Sequence, residues 1–165
     1  MNTMNMMTPG ARMPPIEDLL PHRGTMLLLD RVTDFDTESA SAEYRPRRDA
    51  WYADADGHMP AWIGIELMAQ TIAAHVGLLK RAAGAPPRQG VLLGARRYVA
   101  SRAAFAADEV LCIRSKVVLS DAGGLGAYEC RIDASDASGS EALATATLKV
   151  FEPDDFQTFL QASQA

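Results

Sequence analysis

The chain is predicted to be an α+β fold in which an antiparallel sheet of five to six strands wraps one long central helix. From Ala61 to Leu79 the sequence is apolar almost all round a helical circumference, and a helix of that kind needs cover on every side. Two strand-like runs precede it and four follow. Asp121-Ala122-Gly123-Gly124 and the stretch from Asp136 to Ser140 are turn-forming clusters between the last three runs, which predicts an antiparallel meander. Only a sheet that curls around the helix buries it fully.

Each element has a local reason. After Pro14-Pro15, Ile16 to Leu20 suits one helical turn, broken by Pro21-His22-Arg23-Gly24. A first strand is expected over Thr25 to Thr33 and a second over Glu38 to Arg45, with a polar, Asp-rich loop from Pro46 to Gly57. Pro60 stands where a first-turn proline opens a helix. Pro86-Pro87, within Gly84 to Arg88, closes it. The later strands are expected over Gln89 to Ser101, Glu109 to Ser120, Gly124 to Ser135 and Glu141 to Glu152.

At 165 residues the length fits one domain. A tail is expected over residues 1–13, where Met recurs at 1, 4, 6, 7 and 13, and a single domain over 14–165. Hydrophobic residues make up 48% and charged residues 22%, ordinary globular values. The net charge of −5 argues against nucleic acid and anionic membrane surfaces as partners. The long apolar run has the length of a membrane span, but Glu66, Gln70 and His75 inside it would each be costly in lipid. The first ten residues lack a cationic start followed by an apolar run, so a cytoplasmic location is expected. Cys112 and Cys130 fall inside strand patterns and are expected to be reduced core residues.

A carboxylate in so apolar a helix needs a reason, because an unpartnered one would be expelled or neutralised. Glu66 is that carboxylate. At 100° per residue Gln70 lies about 40° from Glu66, whereas His75 lies about 180° away. Glu66 and Gln70 therefore share a site that His75 cannot join. The competing reading of Glu66 is a satisfied structural carboxylate near the first turn. His58, in Gly57-His58-Met59-Pro60, sits on the approach loop, where catalytic groups often lie. A histidine and a carboxylate near the positive end of a helix form a general acid/base pair, and free N–H groups there stabilise an enolate oxygen. The competing reading of His58 is plain surface.

For His22, between Pro21 and Arg23 in a tight turn, a structural role is expected, its ring bonding backbone. Three scattered histidines offer no metal-ligand spacing, so no metal is expected. Arginines at 45, 47 and 48, and at 96, 97 and 102, stand out against the acidic background. They read either as solvated surface or as docking groups for an acidic carrier domain or its phosphopantetheine phosphate. A Gly-rich phosphate loop, a G-x-S-x-G elbow and a paired C-x-x-C are all absent from the sequence.

Two segments resemble the 3-hydroxyacyl-acyl carrier protein dehydratases of fatty acid synthesis, above all the branch serving aryl polyene pathways. Leu19-Leu20-Pro21-His22-Arg23, then Met26-Leu27-Leu28-Leu29-Asp30-Arg31-Val32, is similar to L-P-H-R followed by L-L-x-D-R-V. Gly57-His58-Met59-Pro60, then Ile65-Glu66-Leu67-Met68-Ala69-Gln70, is similar to G-H-F-P and the helix motif E-A-L-A-Q. Weaker likeness runs through Ala95 to Val99, so the resemblance spans roughly residues 16 to 152. It implies the hot-dog fold, a dimer of like or unlike hot-dog subunits, and an acyl carrier protein as partner. It also implies that no cofactor is needed beyond the phosphopantetheine carrying the substrate. The segment from His58 to Glu66 is shorter than in the fatty acid enzymes and lacks a glycine whose amide helps hold the thioester oxygen. Trp62, Ile63, Gly64 and Gln70 are the expected substrate-binding residues, with amides near Ile63 or Gly64 in that glycine's place.

By that resemblance His58 takes the C2 proton, and Glu66 of the other subunit protonates the departing 3-hydroxyl. Ala73, Ala74 and Gly77 would leave room for an acyl chain. Two other readings stay open: a hot-dog acyl thioesterase, and a non-catalytic partner subunit or acyl-binding module.

Overall fold

The computed structural model describes residues 12–136 and 141–164. Its six-stranded antiparallel sheet is built from β1 (Arg31–Phe35), β2 (Ser39–Tyr44), β4 (Val91–Ala100), β6 (Leu111–Ser120), β7 (Leu125–Ala134) and β8 (Ala144–Phe151), in the order β1-β2-β6-β7-β8-β4. β3 (Met59–Pro60) and β5 (Ala104–Phe105) pair in a small second sheet. The helix α1 (Gly64–Ala82) packs against all six strands of the main sheet. A short helix, α2 (Phe156–Ala162), follows β8. This is the hot-dog layout that the sequence predicts, with β6, β7 and β8 as the expected meander.

Packing explains why α1 is apolar on so many sides. Leu67, Met68, Ile72 and Leu78 are buried against Phe105, Leu111, Ile113, Ile132 and Leu148 of the sheets. Each such side chain contributes about 2 kcal/mol by leaving water. By length and composition the stretch Ala61–Ala82 would span a membrane, but here its inward side packs on the chain's own sheet. His75 points away from Glu66: its ring is buried, meets Tyr128 edge-on at 6.0 Å and bonds the Asp36 carbonyl at 2.9 Å.

The elements differ from expectation in several places, among them the small β3–β5 sheet and the end of α1 at Ala82 rather than Leu79. The first strand begins at Arg31 rather than Thr25, because the Leu28 and Leu29 amides bond the Gln70 side chain instead of a neighbouring strand. The central helix opens with one tight turn, Ala61–Ile63, before α1 proper. And α2 was not expected at all, although Asp155 caps it, accepting from Thr158 N at 3.1 Å and Thr158 Oγ1 at 2.9 Å. Most of the expected N-terminal tail, and most of the turn at 136–140, lie outside the described residues.

Candidate functional site

Glu66 sits in the first turn of α1, and its surroundings come from three separate stretches of chain. One turn further on, Gln70 is fully buried and uses its whole amide. Its Oε1 accepts from Leu28 N at 3.1 Å and Leu29 N at 3.4 Å, while its Nε2 donates to Met26 O at 2.7 Å and to Glu66 Oε1 at 2.9 Å. Gln70 thus pins the Met26 to Leu29 segment against the helix and fixes one oxygen of Glu66. The two motifs carrying the family resemblance are joined by these bonds.

His22 comes to the same oxygen from the other side. Its Nε2 lies 3.4 Å from Glu66 Oε1, within ion-pairing range, and its Nδ1 is buried with no hydrogen-bond partner. The loop that carries it is held from within. Arg23 donates to Leu20 O at 2.7 Å, His22 O at 2.7 Å and Glu17 O at 3.0 Å. The L-P-H-R segment is therefore a clamp that aims an imidazole at Glu66, where a ring bonded to backbone was expected.

Glu66 is less enclosed than the sequence predicts. Its side chain is 35% exposed, because this side of α1 faces a cavity of about 540 Å³ instead of the sheet. Pro21, His22 and Glu66 line one part of that cavity, and Ala69, Ala73 and Val76 line the part along the helix. Lys80 and Glu152, paired at 2.7 Å, line it further on. Lys80 is fourteen positions after Glu66, about 21 Å at 1.5 Å per residue. Gly77 lines this cavity too, whereas Ala74 is fully buried away from it.

The other expected site residues lie elsewhere. His58 belongs to a loop stitched by Asp54, whose Oδ1 accepts from His58 N at 2.8 Å. The ring's Nδ1 accepts from Ala107 N at 3.0 Å, so the proton of the neutral imidazole sits on Nε2. Among the described residues no hydrogen bond or ion pair joins His58 to Glu66, and His58 does not line the cavity. Ile63 is a core residue, 2% exposed. Gly64 is buried where a Cβ would run into the Tyr98 hydroxyl, Ile132 and Phe105. Trp62 is exposed on the surface. Of the four expected binding residues, Gln70 hydrogen-bonds the Glu66 side chain. Of the six singled-out arginines, Arg47, Arg48 and Arg102 pair with Asp30, Asp108 and Glu109.

A cavity with a carboxyl group and an imidazole at one part of its wall, the carboxyl held from behind by the buried Gln70 amide, is suited to proton transfer on an acyl substrate. Comparison with known proteins bears on which reaction that is. Residues 14–161 match the family described as ApeP-like, ApeP dehydratase. The dehydratase heterocomplex ApeI:P from Xenorhabdus doucetiae is 27% identical, with a TM-score of 0.84 over 93% of this chain and 100% of that one. A hypothetical thioesterase with coenzyme A from Streptococcus pneumoniae is 16% identical, with a TM-score of 0.55 over 74% of this chain and 84% of that one. AziG of S. sahachiroi is 14% identical, with a TM-score of 0.57 over 76% and 90%. These last two share the fold alone. No protein of curated function matches the sequence. With its family match running almost end to end, the chain belongs to the ApeP-like dehydratase family and is a hot-dog dehydratase.

Proposed function

We propose that the chain removes water from a 3-hydroxyacyl thioester held on the phosphopantetheine of an acyl carrier protein, leaving the trans-2-enoyl thioester. Acyl-thioester dehydration in aryl polyene synthesis is the chemistry of this family. The observation that carries the reading is Glu66 on a cavity wall, with one oxygen held by Gln70. Glu66 gives a proton to the departing 3-hydroxyl, the C3–O bond breaks, and the C2–H electron pair becomes the C2=C3 bond. The step is redox-neutral, so it balances without an electron carrier.

The C2 proton goes to an imidazole. His58 is the proposed acceptor, brought to the Glu66 cavity across a subunit boundary, since within one chain it lies outside that cavity. To accept a proton its ring must release the Ala107 amide, which now occupies Nδ1. A second hot-dog subunit is the proposed partner. β4 is an edge strand carrying exposed Leu92, Leu93 and Val99, and an apolar sheet edge of this kind favours pairing with another chain. The Xenorhabdus doucetiae relative occurs in a complex of two such proteins. Cys112 and Cys130 are unpaired, which supports a reducing, cytoplasmic location.

Carrier-bound 3-hydroxyacyl substrates, offered to the chain alone and with a co-expressed hot-dog subunit, test the reading. The enoyl product should form without release of free thiol. Thiol release in place of the enoyl product would make the chain a thioesterase instead.

A further inference from the structure

We propose that His22 is a positioning residue for the dehydration, holding Glu66 so that a single carboxylate oxygen, Oε2, is offered to the substrate. The inference rests on the dehydratase reading and adds a residue for which a merely structural role was expected.

The geometry is asymmetric about the carboxyl group. Two nitrogens converge on Oε1, Gln70 Nε2 at 2.9 Å and His22 Nε2 at 3.4 Å. Among the described residues no hydrogen bond reaches Oε2. A carboxyl whose one oxygen faces two N–H donors keeps its transferable proton on the other, because a hydroxyl there cannot lie against a donor. His22 is fixed for this purpose on both sides. Pro21 limits the chain before it, and Arg23 ties Glu17, Leu20 and His22 into one loop by three bonds to carbonyls. With Nδ1 buried and unpartnered, the proton of the neutral ring belongs on Nε2, the nitrogen 3.4 Å from Glu66 Oε1, because a buried N–H without an acceptor is the costlier alternative. His22 and Glu66 also line the same cavity. When Glu66 gives its proton to the departing hydroxyl, the resulting carboxylate stands beside a donor already in place, with no side chain to reorganise.

The test compares His22→Ala, His22→Gln and Glu66→Gln in the assembled protein, on a carrier-bound 3-hydroxyacyl thioester. Wild-type turnover that Glu66→Gln removes establishes the reaction. On that footing His22→Ala should lower kcat roughly tenfold to a hundredfold, the loss that misplacing a catalytic group brings, while KM stays within about twofold. His22→Gln should recover most of the loss, because its amide nitrogen reaches the same Oε1. If the alanine variant does not fold, Asn takes its place: one carbon shorter than Gln, it falls short of Oε1 and turns over slowly. A folded His22→Ala protein with wild-type kcat overturns the proposal. So does a rise in KM alone, which makes His22 cavity wall, and so does a Gln variant no better than Ala or Asn. A wild-type protein that dehydrates no 3-hydroxyacyl thioester, alone or with its partner, fails the dehydratase reading itself and takes this role with it.

Discussion

Gln70 Nε2 donates to Glu66 Oε1 across 2.9 Å, one helical turn apart on α1. The same amide holds the backbone of Met26, Leu28 and Leu29, more than forty positions earlier in the chain. A single side chain therefore joins the packing of the N-terminal segment to the geometry of the proposed acid. Gln70→Leu is expected to cost about 3 kcal/mol, since it strands two buried amides and a carbonyl. Urea denaturation measures that loss. Activity should fall beyond what the remaining folded fraction explains, because Glu66 loses a donor as well. A Leu variant as stable as the wild type would show that water replaces all of these bonds.

Gly64, one of the expected substrate-binding residues, is packed into the core. Adding a methyl there forces it against the Tyr98 hydroxyl, which itself bonds the Ala61 carbonyl, and against Phe105 and Ile132. Gly64→Ala should destabilise the fold by about 1–3 kcal/mol through overpacking, read as a lower midpoint in thermal or chemical unfolding.

His75 gives the protein a pH dependence. Burial holds its imidazole below the ordinary value of 6.5, outweighing its bond to the Asp36 carbonyl. The unfolded chain then binds a proton near pH 6.5 that the folded chain refuses. The stability that neutral His75 contributes is complete above about pH 6.5 and is lost as pH falls from there toward the lower folded value. Unfolding free energies between pH 5 and 7.5 should decline on the acid side by up to about 1.4 kcal/mol per pH unit from this one group. His75→Phe should remove that share of the slope. An unchanged slope in the variant would assign the decline to other residues.

The cavity along α1 makes a prediction about acyl length. Ala73 lines it beyond Glu66, so Ala73→Leu places a larger side chain across the path without touching the acid. Turnover of a four-carbon substrate should stay within about twofold, while long chains should lose roughly tenfold, the effect of a few methylenes displaced from an apolar site. Equal losses for short and long substrates would mean the acyl chain does not run along this face.

Most of the fold was legible because its signals are periodic and local. An all-round apolar helix, strands rich in β-branched residues and Asp/Gly turns fixed the meander and the place of α1. What was missed depended on partners far away in sequence. Met26 to Asp30 has the composition of a strand, yet Gln70 draws its amides away. Gly64 reads as a glycine at the start of the helix with its amide near the substrate, and only the packing of Tyr98 and Phe105 against it shows how little space surrounds it. Glu66 was picked out by its cost in an apolar helix, and its closeness to Gln70 by helical geometry alone. The place of His22 was hidden, because nothing within residues 19–23 reveals that the turn faces the start of α1.

Glu66 stands or falls as the acid of a thioester dehydration on a single product. Mass spectrometry of a carrier-bound 3-hydroxyacyl group, after incubation with the assembled wild-type protein and with Glu66→Gln, tests it most directly. With the wild type the acyl group should lose the mass of one water, and with the variant its mass should stay unchanged, while the variant's unfolding curve stays close to wild type. A folded Glu66→Gln protein that still removes water would contradict that role.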